Sequence, residues 1–308
     1  MGVHAAMSRV YVAPISFGLG DLVVSLPAVQ ALIEQTRHTG DETWLVSRAS
    51  AQTKLAERID GLAGCVVEDT FDPPTGADRF VDLRDHPLQR DYWWGSPEFE
   101  QAFGPLNIND ILGRICADFA IDADFSRPIA LTARPRPELR SSVLFVTESD
   151  GPSKRWSADR WSALAEGVRR LGLEVRLVTR DEVPPEMQST GIEAAPAPTP
   201  GDAVDVLSAC RAVIGVDTGL THIAVQQGTP TVTICRANTI YLRPWPHARA
   251  VRGAECDDAC TSLEQDYAYN ERVSLRGFQW QPRVCPVGGR CFDPIQPADV
   301  LRALGELL

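Results

Sequence analysis

Short apolar runs alternate with amphipathic stretches in a regular order along this chain. Residues 9–14 form a first run of strand length, and after the turn Gly18-Leu19-Gly20-Asp21 the apolar positions of 22–35 recur at helical spacing. Strand-like runs at 43–47, 65–68 and 80–83 alternate with helical or loop segments, and 107–121 reads as a further helix. The second half repeats the scheme: strand 142–147, helix 158–171 behind Ser157 as its cap, strand 173–179, helix 202–210, strand 212–216, helix 220–227 ended by Gly228, and strand 231–235. An amphipathic helix over 297–308 closes the chain. Strands alternating with helices predict an α/β fold with parallel sheets.

Segments rich in Pro and Gly punctuate that pattern. Residues 84–107 hold Pro, Gly and several aromatics and predict a long functional loop, in which Tyr92, Trp93 and Trp94 either stack on a bound ring or pack against the domain. The stretch TARPRPELR, 132–140, carries Pro135 and Pro137 and is the best linker candidate. It divides the chain into domains of 1–135 and 136–308 that face each other across a cleft, with a closing helix able to pack back on the first domain. The Pro-rich 194–201 reads as a surface loop.

Candidate chemistry collects at two turns. In AVIGVDTGLTHIAVQQGTPTVTIC, 212–235, a buried strand leads through Asp217-Thr218-Gly219 into a helix and on to the next strand. A loop leaving the carboxyl end of such a strand is where ligands sit in open α/β sheets. Asp217 can accept sugar hydroxyls, or simply cap the helix; Thr218, Gly219 and the unpaired amides of the helix start suit a phosphate, with His222 in the same turn. The second turn is the one before the first helix. Gly18 and Gly20 permit a tight turn or close ligand approach, and Asp21 suits both a helix cap and a proton acceptor.

These stretches resemble glycosyltransferase family 9, the heptosyltransferases. GVDTGLTHIAVQQGTPTV is similar to the family's G-V-D-[ST]-G-x-x-H run with its G-T-P turn, GLGDLVVSLPAVQAL to its N-terminal G-D motif, and Lys154-Arg155-Trp156 to its K-x-W turn. The resemblance implies a GT-B architecture, two Rossmann-like domains, with acceptor in the first and a nucleotide sugar, ADP-linked heptose, in the second. It implies inverting transfer without a metal or other cofactor. Asp21 would be the general base and Lys154, Thr218, Gly219 and His222 the diphosphate ligands; Asp217 would orient sugar hydroxyls, and Glu182 would hold the ribose. Gly18, Gly20, Trp93 and Trp94 would line the acceptor side. The chain departs from the family at Arg180, and at Arg236-Ala237-Asn238-Thr239 where a Gly-Pro-Thr-Asp loop is usual.

Composition refines this picture. The chain is 308 residues long with net charge −11, which argues against nucleic-acid binding. Residues 1–140 hold 13 basic and 20 acidic side chains, net −7, and residues 141–308 hold 17 and 21, net −4. An acidic acceptor half points to a neutral or cationic acceptor, such as an aminocyclitol of natural-product biosynthesis, rather than anionic lipopolysaccharide. A lipopolysaccharide inner-core heptosyltransferase, a GT-B enzyme with a UDP, GDP or dTDP donor, and a non-catalytic sugar-nucleotide binder are the other readings. Only Lys54 and Lys154 are lysines, so Lys154 stands out at the K-x-W turn. No apolar run is long enough to span a membrane and the first residues lack a secretory pattern, so the expected location is the cytoplasm. Cys256-x3-Cys260 and Cys285-x5-Cys291 suit a structural zinc site, with free thiols or disulfides as alternatives.

Overall fold

The computed structural model describes residues 8–92, 94, 96–149, 154, 156–236, 238–254 and 290–308. In it the apolar runs become two sheets. The first half runs β1 (Arg9–Ala13), α1 (Leu19–Thr39), β2 (Glu42–Ser47), α2 (Ser50–Ala56), β3 (Gly64–Val67) and β4 (Arg79–Asp82), followed by α3 (Pro87–Arg90), α4 (Pro97–Phe103) and α5 (Ile108–Asp118). The second runs β5 (Ser142–Val146), α6 (Ala158–Arg170), β6 (Glu174–Thr179), α7 (Pro185–Gln188), β7 (Glu193–Pro196), α8 (Pro200–Ala209), β8 (Ala212–Val216), α9 (Gly219–Gln226), β9 (Thr231–Cys235), β10 (Ala248–Arg252) and α10 (Pro297–Gly305).

Strand order is β3-β2-β1-β4 in one sheet and β10-β9-β8-β5-β6-β7 in the other, and the pairing is parallel throughout. The strands β5, β8 and β9 are buried at every position, as expected where helices cover both faces. Each sheet reverses its winding beside its first strand, between β1 and β4 and between β5 and β8. At such a reversal the loops leaving neighbouring strands diverge and open a crevice at the carboxyl edge. The two candidate turns follow β1 and β8, one at each reversal.

The two halves share a core. Every residue of α1 from Leu22 to Val29 is buried, because the helix lies against its own sheet on one side and against α9 on the other. Ile223 and Ala224 of α9 therefore belong to the same apolar cluster as Leu22, Leu26 and Val29. A second cluster fills the far face of the larger sheet, where α10 packs on α6 with Leu301 over Gly167. The closing helix thus stays with the second half rather than crossing to the first.

Residues of the proposed joint are fastened at several points. The Arg58 guanidinium grips both oxygens of Asp205 on α8 at 3.0 and 2.9 Å and also donates to the Thr132 carbonyl. The Arg134 amide donates to Asp205 as well. Further along, Gln227 exchanges two hydrogen bonds with the Leu131 backbone, and Gln226 donates to the Ile129 carbonyl.

Three stretches differ from the sequence expectation. The 194–201 loop contains β7, an edge strand ending in Pro196, and an edge is where a sheet tolerates proline. Residues 84–107 hold α3 and α4, each opened by a proline at its start, where a missing N–H costs nothing. The strand β10, ARAVR, was not anticipated, since its arginines mask the pattern at the opposite edge. Among the described residues no helix is long and apolar enough to cross a membrane.

The Arg58–Asp205 pair is nearly buried, so removing one partner leaves the other charge uncompensated. Asp205→Ala should lower unfolding stability by about 3–5 kcal/mol, against about 0.5 kcal/mol for the exposed Asp124→Ala. Denaturant unfolding of both variants checks this, and equal midpoints would refute it.

Candidate active site

The turn after β1 ends in Gly18, which is extended, and α1 begins at Leu19. Asp21 turns back to accept the Gly18 amide at 2.9 Å, so it does act as a cap. A side chain on Gly18 would sit 2.6 Å from that carboxylate, hence the glycine. Across the cleft, Thr218 occupies the cap position of α9 without a side-chain cap bond, which leaves the first amides of α9 uncovered by its hydroxyl. The Thr221 hydroxyl instead anchors to the Val216 carbonyl at 2.7 Å.

The two helix starts meet directly. A Cβ on Gly219 would lie 2.9 Å from Leu19 Cβ and 3.0 Å from the Gly20 nitrogen, and one on Gly20 would lie 3.2 Å from His222 Cδ2. Glycine at both places brings the start of α1, with Asp21, beside the start of α9, with His222.

Asp217 is the hub of the second turn. Lys154, from the loop after β5, donates to Asp217 Oδ2 at 2.7 Å and to its carbonyl at 3.3 Å. His222 Nε2 lies 3.1 Å from Oδ1. An ionised carboxylate only accepts, so that ring nitrogen carries the proton. Burial by itself would raise the Asp217 carboxyl, but the Lys154 charge and the His222 hydrogen bond outweigh it and hold the group well below the usual carboxylate range. Lys154 and His222, expected to face a diphosphate separately, are gathered by Asp217. That carboxylate, expected to face sugar hydroxyls, has both oxygens engaged.

Other expected site residues lie elsewhere. Glu182 is exposed beyond β6, one strand over from β5 at the same edge. Trp94 is a correction: its ring is completely buried, donates from Nε1 to the Leu88 carbonyl and stacks on Tyr241 at 5.3 Å. Asn238 Nδ2 donates to the Trp94 carbonyl, so the loop after β9 docks onto this tryptophan and no face is left for an acceptor ring. Tyr92 packs edge-on against Phe103. Trp93, Cys256, Cys260 and Cys285 lie outside the described residues; Cys291 is buried. Among the described residues no group of three or more His, Cys, Asp or Glu side chains is placed to hold a metal.

Sequence reasoning missed several residues around this site. Arg48 and Arg84 both pair with Glu68, and Arg84 also pairs with Asp82, in a nearly buried network at the carboxyl edge of the first sheet. Burial pushes the Asp82 carboxyl up to about 7 against the pull of Arg48, with Glu68 and Asp85 adding to the rise. Arg243 crosses from the second half to donate to Asn109 Oδ1 and the Val24 carbonyl, and lies over Phe125 and Trp245; burial lowers it to about 9. Gln52 and Gln89 are buried under the first turn. The signal for Gln52 was available, a polar residue on the buried stripe of α2 with Leu55 and Ala56.

Because the folded chain holds Asp217 below its unfolded pKa, the unfolded chain takes up the proton first as pH falls. The resulting stabilisation is complete above about pH 3.9 and drains away below it, toward the depressed native value. Lys154→Met removes most of the depression. Melting curves from pH 6 to 3 should therefore show the wild type losing more stability than the variant, the gap between them narrowing; parallel curves would contradict this.

Comparison with known proteins places this geometry in a lineage. The sequence model of glycosyltransferase family 9 (heptosyltransferase) matches residues 114–266, about half of the chain. A lipooligosaccharide heptosyltransferase 2 of Haemophilus influenzae is 30% identical over 95 residues, 27% of this chain and 28% of the relative, so the match spans less than a third of that protein's length. The crystal structure of a family 9 glycosyl transferase from Veillonella parvula superposes with a TM-score of 0.64 at 15% identity, covering 97% of both chains. The Escherichia coli heptosyltransferase WaaC, solved with ADP-2-deoxy-2-fluoro heptose, gives 0.56 at 13% identity over 84% of this chain and 98% of its own. The dodecameric iron-containing heptosyltransferase TibC of enterotoxigenic E. coli, solved with ADP-D-β-D-heptose, gives 0.58 at 15% identity over 98% and 76%. With the sequence match centred on the second sheet and the shared architecture running almost end to end, this chain belongs to glycosyltransferase family 9 and has the GT-B fold.

Proposed function

We propose that this protein transfers a sugar from an ADP-linked heptose to an acceptor hydroxyl by a single inverting displacement. The observation that carries the reading is the meeting of the two helix starts, Asp21 on one side and the Lys154–Asp217–His222 cluster on the other. The first domain, 1–135, would receive the acceptor, and the second, 136–308, the nucleotide sugar. The donor assignment draws on the ADP-heptose species bound by WaaC and TibC.

In this mechanism Asp21 takes the proton of the acceptor hydroxyl as its oxygen attacks the anomeric carbon. The bond from that carbon to the diphosphate breaks, its electron pair passes to the phosphate oxygen, and ADP leaves. Charge growing on the leaving group meets the Lys154 ammonium, the His222 N–H and the uncovered amides at Thr218 and Gly219, fixed donors of the kind that lower such barriers most. To reach a phosphate, Lys154 and His222 exchange Asp217 for the ligand, which frees the carboxylate for sugar hydroxyls. Glu182, in the loop after β6, would hold the nucleoside end. The neutralising charges belong to the chain's own side chains, and no cofactor is part of the reading.

On the acceptor side, Arg48 and Arg84 are paired with Glu68 and Asp82, and Arg90 with Asp85 and Asp91. With those arginines already paired to carboxylates, the edge of the first sheet favours a neutral or cationic acceptor over a polyanionic one.

The test is a thermal-shift series with ADP, UDP, GDP and dTDP. ADP should stabilise the wild type by about 2.7 kcal/mol at a hundredfold excess over Kd, and Lys154→Ala much less. Asp21→Asn should keep the ADP shift while ADP-heptose turnover falls about 10²–10⁴-fold. A shift with another nucleotide alone would discard the donor, and full turnover by Asp21→Asn would discard the base.

A further inference from the structure

The segment that delivers Asp21 has its backbone held by buried side chains. Gln52, completely buried on α2, donates from Nε2 to two carbonyls, Ser16 at 2.9 Å and Gly18 at 3.0 Å. Its Oε1 accepts the Arg48 amide at 2.9 Å. Both amide protons and the oxygen are thus used, and the two carbonyls and one N–H fix which way the amide points. From the other flank Gln89 donates to the Ile15 carbonyl at 3.0 Å. The Ile15 amide donates to the buried Ser25 hydroxyl at 3.3 Å, which in turn donates to the Asp21 carbonyl at 2.7 Å. Gly18 completes the circuit, its carbonyl held by Gln52 while its amide is held by the Asp21 carboxylate.

We infer that Gln52 is a positioning residue for the transfer reaction, its two-carbonyl grip on Ser16 and Gly18 setting where the Asp21 carboxylate points. The inference rests on Asp21 being the proton acceptor proposed above. The near-isosteres of Gln52 cannot do the same work at this position. A carboxylate would face two carbonyl oxygens with no proton to offer, methionine fills the space and donates nothing, and a shorter amide cannot span the gap. Gln52 reaches no acceptor itself: its effect passes through Gly18, whose peptide both ends the grip and receives Asp21. Donor affinity, governed by Lys154 and the start of α9, is outside its influence.

Gln52→Met and Gln52→Glu test this, with ADP release from ADP-heptose in water as the reaction and hydrogen exchange of peptides covering 15–25 as the structural readout. Gln52→Met should exchange faster in that segment and release ADP about 10²-fold more slowly, with KM for ADP-heptose and the ADP thermal shift unchanged, because an Asp21 displaced by about 1 Å loses alignment and not donor binding. In Gln52→Glu, activity relative to the wild type should rise as pH falls from 8 to 6, since a protonated buried carboxyl regains one donor bond; this variant carries the test if Gln52→Met does not fold. Faster exchange with unaltered ADP release and pH profile would overturn the inference by showing a purely structural grip. Unaltered exchange in both variants would overturn it by showing no grip. The wild type's ADP thermal shift keeps the two failures apart: no shift with ADP discards the donor reading, whereas a retained shift with ADP release unaltered in both variants discards the role of Gln52.

Discussion

Everything at this site depends on two helices being able to start against each other. Helix starts carry unpaired N–H groups and partial positive charge, and two of them do not approach closely without a reason. Here the approach is made possible by Gly20 and Gly219, which leave no Cβ between the chains, and it is driven by the apolar core that α1 and α9 share. The same approach concentrates positive potential in one crevice, and the carboxylates of Asp21 and Asp217 lie at the two helix starts. A site of this kind is ready for an anion to be exchanged against those carboxylates.

Most of the fold was legible because its strands are buried on both faces and so read as unbroken apolar runs. The elements that escaped lie where that signal is weakest. The edge strands β7 and β10 carry Pro196 and the Arg249 and Arg252 pair, and the short helices α3 and α4 follow prolines that read as loop. Of the site, the two motif turns were legible as chemistry, since their polar residues interrupt apolar runs at fixed offsets. What the spacing did not reveal was how those residues would pair. Asp217 lies 63 residues from Lys154, and one-dimensional order does not say that the loops of β5 and β8 are neighbours. Trp94 shows the opposite limit: an aromatic-rich segment looks like a ligand platform until Tyr241, far along the chain, covers it.

The two sheet edges differ in electrostatic character. At the first, Arg48 and Arg84 are tied to Glu68, and Arg84 also to Asp82. At the second, Lys154 is paired with Asp217, and Arg236 follows directly on the end of β9. The net charge of the whole chain, −11, conceals this division.

The contrast between two ion pairs carries a last consequence. Arg58 holds both carboxylate oxygens of Asp205 in a planar fork, whereas Lys154 meets a single carboxylate oxygen of Asp217 and, at 3.3 Å, its carbonyl. A fork must break two aligned bonds at once to let go, while an ammonium on a flexible stem can swing from one oxygen to another with little rearrangement. The chain uses arginine for 28 of its 30 basic residues, and Lys154 is one of its two lysines, so the cation set against Asp217 is of the kind that can change partners. The first pair is a rivet and the second a latch, and the chain's choice between guanidinium and ammonium marks which junctions are permanent and which are reversible.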